Sequence, residues 1–175
     1  MSGIEAFQQL GEAAIIGLLL SVPQPNIPDR SAECLALNMY HEARGQGIAG
    51  ELAVTAVVLN RVNDKRYPNT ICEVVEQGPT RASWQNPQVR YPIKNRCQFS
   101  WFCDGKSDKP RDKKSWKWSQ QIARLVVSGL LEDVTGGATH YHAHYVSPKW
   151  RTTKTFTVKI GSHLYYKKRG RKDGH

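Results

Sequence analysis

At 175 residues, with 39% hydrophobic content, 14 glycines and 9 prolines, the chain suits one compact domain with a core of its own and excludes a second full domain. Lys and Arg outnumber Asp and Glu by 25 to 15, a formal charge of +10, so the expected partner is polyanionic: nucleic acid, an anionic membrane face or a bacterial wall. The one long apolar run, AAIIGLLLSV at 13–22, has about half the ~20 residues a bilayer crossing needs, which excludes a transmembrane span there.

Glu5 and Glu12 precede that run and VPQPNIPDR follows it, so the basic start and small-residue cleavage site of a signal peptide are missing. The expectation for residues 1–30 is an apolar docking helix, with a signal segment or interfacial anchor as the alternative, followed by a Pro-rich, extended linker. Ser31 can cap a helix running through ECLALNMYHEA, where Leu35, Met39 and Glu42 follow the i, i+4, i+7 spacing of one face. Glu42 therefore shares the inward face. Gly45 and Gly47 end that helix, and IAGELAVTAVVLNRV, 48–62, is apolar on nearly every side, as the central helix of a small domain would be. Residues 63–111 read mostly as loop, with 97–103 as a short hairpin strand. SWKWSQQIARLVVSGLL, 115–131, predicts a third helix with Trp118, Ile122 and Leu125 on one face. THYHAHYV alternates like a strand, and Phe156, Val158 and Ile160 alternate up to Gly161-Ser162, a hairpin signal that returns through HLYY. The basic tail KKRGRKDGH, 167–175, is expected to be disordered or surface-bound.

Several chemistries can be weighed from the residues alone. A zinc protease needs HExxH, but Gly45 stands where the second histidine after His41-Glu42 should be. His140, His142 and His144 alternate and so share a strand face; a metal is one use for them, and hydrogen bonding to substrate or backbone is the commoner one. No GxSxG or Gly-rich phosphate loop is present, and the basic residues scatter apart from the tail, so no nucleic-acid partner is expected. The four cysteines, Cys34, Cys72, Cys97 and Cys103, contain no CxxC pair. Cys97 and Cys103 are close enough for a local disulfide, and the connectivity stays open. For Glu42 two roles compete. Arg44 and Arg61 are available to pair with it as a structural acid; alternatively, burial raises its pKa so that it can protonate a leaving-group oxygen.

The ordered blocks ALNMYHEARGQGIAGELAVTAVVLNRV, RYPNTICEVVEQ, CQFSWFCDG, GATHYHAHYVSPKW and KIGSHLYY, spread over residues 32–166, resemble the SleB/CwlJ family of cell-wall hydrolases. That resemblance implies an α+β, mainly helical, lysozyme-like catalytic domain over 31–166 with a small β-hairpin element, acting on the glycan strands of peptidoglycan. It makes Glu42 the essential acid, supported by Tyr40, Arg44 and Arg61. By analogy with lysozyme-like lytic transglycosylases, Gln98, Phe99, Ser100 and Trp101 line the cleft together with His140, Tyr141 and His142. Tyr141, Gln98 and Ser100 are expected to hold N-acetyl and hydroxyl groups, and Trp101 or Phe99 to offer an apolar face to a sugar ring. Glycosidases usually need two carboxyl groups, and the matched blocks expected to line the cleft offer no second acid except Asp104 after CQFSWFC and Glu51 on the second helix. A lytic transglycosylase, which closes a 1,6-anhydro ring on muramic acid with a single acid and no metal or cofactor, is therefore the expected activity. A hydrolytic muramidase and a non-catalytic wall-binding or virion protein are the alternatives. Anionic wall polymers are expected partners for the basic surface. A bacteriophage lysin, released from the host cytoplasm or carried in the virion, fits a bare catalytic domain.

Overall fold

The apolar pattern of residues 48–62 places its helix where the sequence predicts, at the centre of the domain. The computed structural model describes residues 29–129 and 132–169; the expected docking helix and linker up to residue 28, and residues 170–175 of the tail, lie outside them. Helix α1, Asp29–Ala43, leads through Gly45 into α2, Gly47–Val62. Gly45 has φ +88°, a left-handed conformation that a side-chain-bearing residue adopts only at a cost. Ten residues of α2 are buried, because other elements pack on it from both sides. On one side, Leu52 and Val58 of α2 join Leu35 and Met39 of α1, Val74 and Val75 of the short helix α3 (Ile71–Val75), and Ile122 and Ala123 of α4 (Lys113–Val127). On the other, Ala53 and Val57 meet Ile160 and Tyr165 of a small sheet.

That sheet has three antiparallel strands in the order β3–β5–β4. They are His140–Ala143 (β3), Lys154–Ile160 (β4) and His163–Lys168 (β5). The turn between β4 and β5 is the Gly161-Ser162 signal itself, with Gly161 at φ +55°. Ser162 Oγ donates to Gln46 Oε1 at 2.7 Å, which ties the hairpin turn to the α1–α2 turn. Strand β5 runs two residues into the segment expected as tail. Earlier in the chain a two-stranded hairpin, β1 (Thr80–Ala82) with β2 (Arg90–Pro92), stands exposed.

Two local expectations need adjustment. Residues 63–111 are mostly loop, as expected, but they also hold α3, whose start Thr70 caps by accepting from Glu73 N at 3.3 Å while its hydroxyl donates to Glu73 Oε2 at 2.7 Å. The 97–103 stretch is no hairpin strand; Ser100–Cys103 forms a 3-10 helix. It sits in a loop closed by the Cys97–Cys103 disulfide, and a second disulfide, Cys34–Cys72, staples α1 to α3. Helix α4 begins two residues before Ser115, because Asp112 caps it by accepting from Ser115 N at 2.9 Å.

Glu51 lies buried on the face of α2 toward α4, where Trp118 Nε1 donates to its Oε2 at 2.8 Å. Burial pushes its pKa from 4.5 up to about 7, against the smaller opposing effect of that hydrogen bond. Because the folded pKa lies above the unfolded one, ionisation opposes folding: the cost is absent below pH ~4.5, grows between ~4.5 and ~7 and is complete above that. Glu51→Gln keeps an acceptor for Trp118 without the charge. Denaturant unfolding at pH 8 should therefore show the variant more stable by ~2 kcal/mol, within the ~3 kcal/mol such a shift is worth. Equal stability at pH 8 would mean that Glu51 ionises there at no cost.

Candidate active site

Glu42 occupies the last turn of α1, on the inward face set by Leu35 and Met39, and the alternation of β3 turns Tyr141 toward it. Tyr141 Oη donates to Glu42 Oε2 at 2.8 Å. Burial raises the Glu42 pKa, and the Tyr141 hydrogen bond, then His41 and Arg61, pull it down by less, so the net shift is upward. Tyr141 itself is held well above the usual phenol range, by burial first and by the neighbouring Glu42 next, and so serves as a neutral donor and not as a nucleophile. Glu51 is engaged by Trp118, and Asp104 accepts from Lys106 N at 2.7 Å. Neither carboxylate is among the groups that act on Glu42.

Strand β3 is fixed by the end of α2. Arg61 Nε donates to the Thr139 carbonyl at 2.9 Å, and Asn60 Nδ2 donates to Ala138 O at 3.0 Å and Asp133 Oδ2 at 3.0 Å. Asp133 in turn accepts from Thr135 N and Gly137 N, which closes the loop leading into the strand. Arg61 is only 5% exposed, and its guanidinium lies over the rings of Phe99 at 5.1 Å and Tyr67 at 5.5 Å. On the other flank of Glu42, His41 stacks on Trp101 with ring centroids 4.6 Å apart. Trp101 Nε1 donates to Asn38 Oδ1 at 3.1 Å, and His41 Nε2 donates to Asp108 O at 3.0 Å, so this wall is rigid.

Of the residues expected at the site, Glu42, Tyr141 and Arg61 come together, His140 lies on the opposite face of the sheet beside Tyr67 and Trp150, and several others are corrected. Phe99, 2% exposed, is core beneath Arg61, and Trp101, 9% exposed, has its indole committed to Asn38 and His41, so neither offers a free face to a sugar. His142 is buried: its Nδ1 donates to Ala143 O at 2.9 Å and its Nε2 lies 3.2 Å from Tyr166 Oη, which makes it a sheet-packing residue. Arg44 does not pair with Glu42. Two residues on from Glu42 it faces another side of the helix, where it donates to Tyr40 Oη at 2.8 Å. Tyr40 Oη also accepts from Arg111 N and Asp112 N, so the two residues anchor the start of α4. Gln98 is exposed just before the 3-10 helix and Ser100 is exposed at its first position. His144 lies beyond the end of β3, its Nδ1 3.1 Å from Ser162 O, so the three histidines do not form one strand face. Among the described residues no group of three or more His, Cys, Asp or Glu is placed to hold a metal.

The family model described as Cell Wall Hydrolase matches residues 45–166. The chain belongs to this cell wall hydrolase family, of the SleB/CwlJ type. The match begins three residues after Glu42, and pairwise similarity to relatives covers more of the chain. A spore cortex-lytic enzyme of Halalkalibacterium halodurans is 26% identical over 147 residues, 80% of this chain and 37% of that protein. One of Bacillus cereus is 26% identical over 149 residues, 81% of this chain and 48% of its own length. The chain thus spans less than half the length of these relatives. Among solved structures, the catalytic domain of the germination-specific lytic transglycosylase SleB from Bacillus anthracis superposes with a TM-score of 0.58 at 26% identity, covering 83% of this chain and all of that one. The SleB catalytic domain of Bacillus cereus gives 0.56, with 83% and 95% covered. The fold is accordingly the lysozyme-like α+β fold of these catalytic domains.

Tyr67 and Asn38 take part in this environment, and the sequence does not single them out. Both lie inside the blocks that carry the family resemblance, and Asn38 stands four residues before Glu42, one turn along the same helix face.

The Tyr141 contact has a measurable consequence. Tyr141→Phe removes a hydrogen bond that favours the Glu42 carboxylate, so the Glu42 pKa rises further. If protonated Glu42 is the working form, the high-pH limb of the activity profile moves to higher pH in Tyr141→Phe. A limb that stays in place or moves to lower pH contradicts this coupling.

Proposed function

We propose that the chain cleaves peptidoglycan glycan strands at the bond between N-acetylmuramic acid and N-acetylglucosamine, as a lytic transglycosylase with Glu42 as its one acid and base. The observation that carries the proposal is a partly buried carboxyl with raised pKa, held by a neutral tyrosine donor, on which no second carboxylate acts. Protonated Glu42 gives its proton to the glycosidic oxygen as the bond to muramic acid C1 breaks. The resulting carboxylate then takes the proton from the muramic acid C6 hydroxyl, whose oxygen bonds to C1 and closes the 1,6-anhydro ring. Glu42 ends protonated, and neither water nor a cofactor enters the balance. An activated water in place of the C6 hydroxyl would give a muramidase, which ordinarily calls for a second carboxylate to serve it.

The SleB relative described as a lytic transglycosylase supports the same reading. Tyr141 positions the acid, while exposed Gln98 and Ser100 are suited to hydrogen-bond the N-acetyl and hydroxyl groups of the strand. The basic surface draws the protein to anionic wall polymers. Delivery by a phage forms no part of this proposal. Incubation of purified walls of several peptidoglycan chemotypes with the wild-type protein should release soluble muropeptides; release from none of them would favour a non-catalytic wall-binding role.

A further inference from the structure

The face of the sheet opposite Tyr141 carries a feature that the single-acid chemistry does not use. Lys154 of β4 and Lys168 of β5 stand directly across from each other in the register, so two like charges share one face in an unfavourable pairing. Lys168 Nζ lies 5.1 Å from the centre of the Tyr67 ring, and Lys154 Nζ lies 5.6 Å from that of Trp150. His140 sits between these rings, 5.3 Å from Trp150 and 6.5 Å from Tyr67. Arg66 adds a third positive charge that bears on Lys154, and burial together with Lys168 and Arg66 lowers the Lys154 pKa. Asp64 pairs with Arg66 and also acts through its charge on Lys168, but among the described residues no carboxylate lies within ion-pair distance of Lys154 or Lys168.

The cluster adjoins Glu42 through Arg61, which acts on Glu42 from one side and lies over the Tyr67 ring on the other. Arg61 Nη1 and Tyr67 Oη are both buried with no hydrogen-bond partner. Two orphaned donors and two unpaired ammonium groups around aromatic rings are suited to a ligand that only accepts hydrogen bonds and is negatively charged, beside an apolar body. Resting on the glycan-cleaving reading of Glu42, we propose that Lys154, Lys168 and Tyr67 form a subsite for the free carboxylate of the peptide carried by the muramic acid next to the scissile bond.

The test is an NMR titration with N-acetylmuramoyl dipeptide, carboxyl free or amidated, alongside wall cleavage by the same protein. Wild type should bind the acid about tenfold more tightly than the amide, the size of one charge-assisted hydrogen bond. A Lys154→Gln, Lys168→Gln double variant should lose that preference, while Lys167→Gln, an exposed charge on the opposite side of β5, should keep it. Equal binding of acid and amide by wild type, or an equal loss in Lys167→Gln, overturns the subsite. Competition by glycerol phosphate as strong as by the acid also overturns it, because the cluster would then be a general anion site for wall polymers. Selective binding of the acid without any wall cleavage would keep the subsite and sink the cleavage reading instead, so the two failures are separable.

Discussion

Glu42→Gln should lower the release of glycan fragments from purified peptidoglycan by about 10²–10⁴-fold, the usual contribution of a positioned acid and base. The substitution is nearly isosteric, and the amide oxygen can still accept from Tyr141, so α1 and β3 should keep their positions and the thermal unfolding midpoint should change little. The amide cannot donate a proton to a leaving oxygen and recover one from a hydroxyl. Residual activity within a few fold of wild type, in a folded variant, would move the acid elsewhere. Glu51, with its pKa near 7, would then be the first residue to examine.

Loss of the Cys34–Cys72 disulfide should be the most costly change to stability. The bridge joins residues 38 apart, and closing a loop of that length in the unfolded chain is worth about 4 kcal/mol on the chain-entropy account. Cys97–Cys103, with a separation of 6, is worth about 2 kcal/mol by the same reasoning. Denaturant unfolding of a Cys34→Ser, Cys72→Ser variant should accordingly show roughly twice the loss seen for Cys97→Ser, Cys103→Ser. Equal losses would mean that native packing around the bridges, not loop length, sets their worth. Both pairs also imply an oxidising setting for the folded protein.

The long elements were legible because their hydrophobic periods run over many residues. Helices α1, α2 and α4 and the β4–β5 hairpin all fall where the apolar pattern puts them, and the inward face of α1 already carried Glu42. Helix α3 escaped because five residues show no period; its one local mark is Thr70 with Glu73 three residues on, a capping box. The aromatic residues of QFSW misled for a related reason. In an irregular loop nothing in the spacing separates a ring that packs under Arg61, as Phe99 does, from one that faces a sugar. Arg44 and Arg61 were both offered as partners for Glu42, and neither forms an ion pair with it: two residues along a helix point apart, and Arg61 bonds the Thr139 carbonyl and acts on Glu42 through its charge alone. Tyr141 entered by family resemblance alone, since a contact across 99 residues of chain leaves no local trace.

The central claim is that one carboxyl, with no second acid and no activated water, cleaves the strand. Mass spectrometry of muropeptides released from purified peptidoglycan by wild type and by Glu42→Gln tests it most directly. The account predicts products ending in 1,6-anhydromuramic acid with wild type and their loss with the variant. Reducing muramic acid ends from the wild-type protein would contradict it, because they require a water at C1 and a group other than Glu42 to place it.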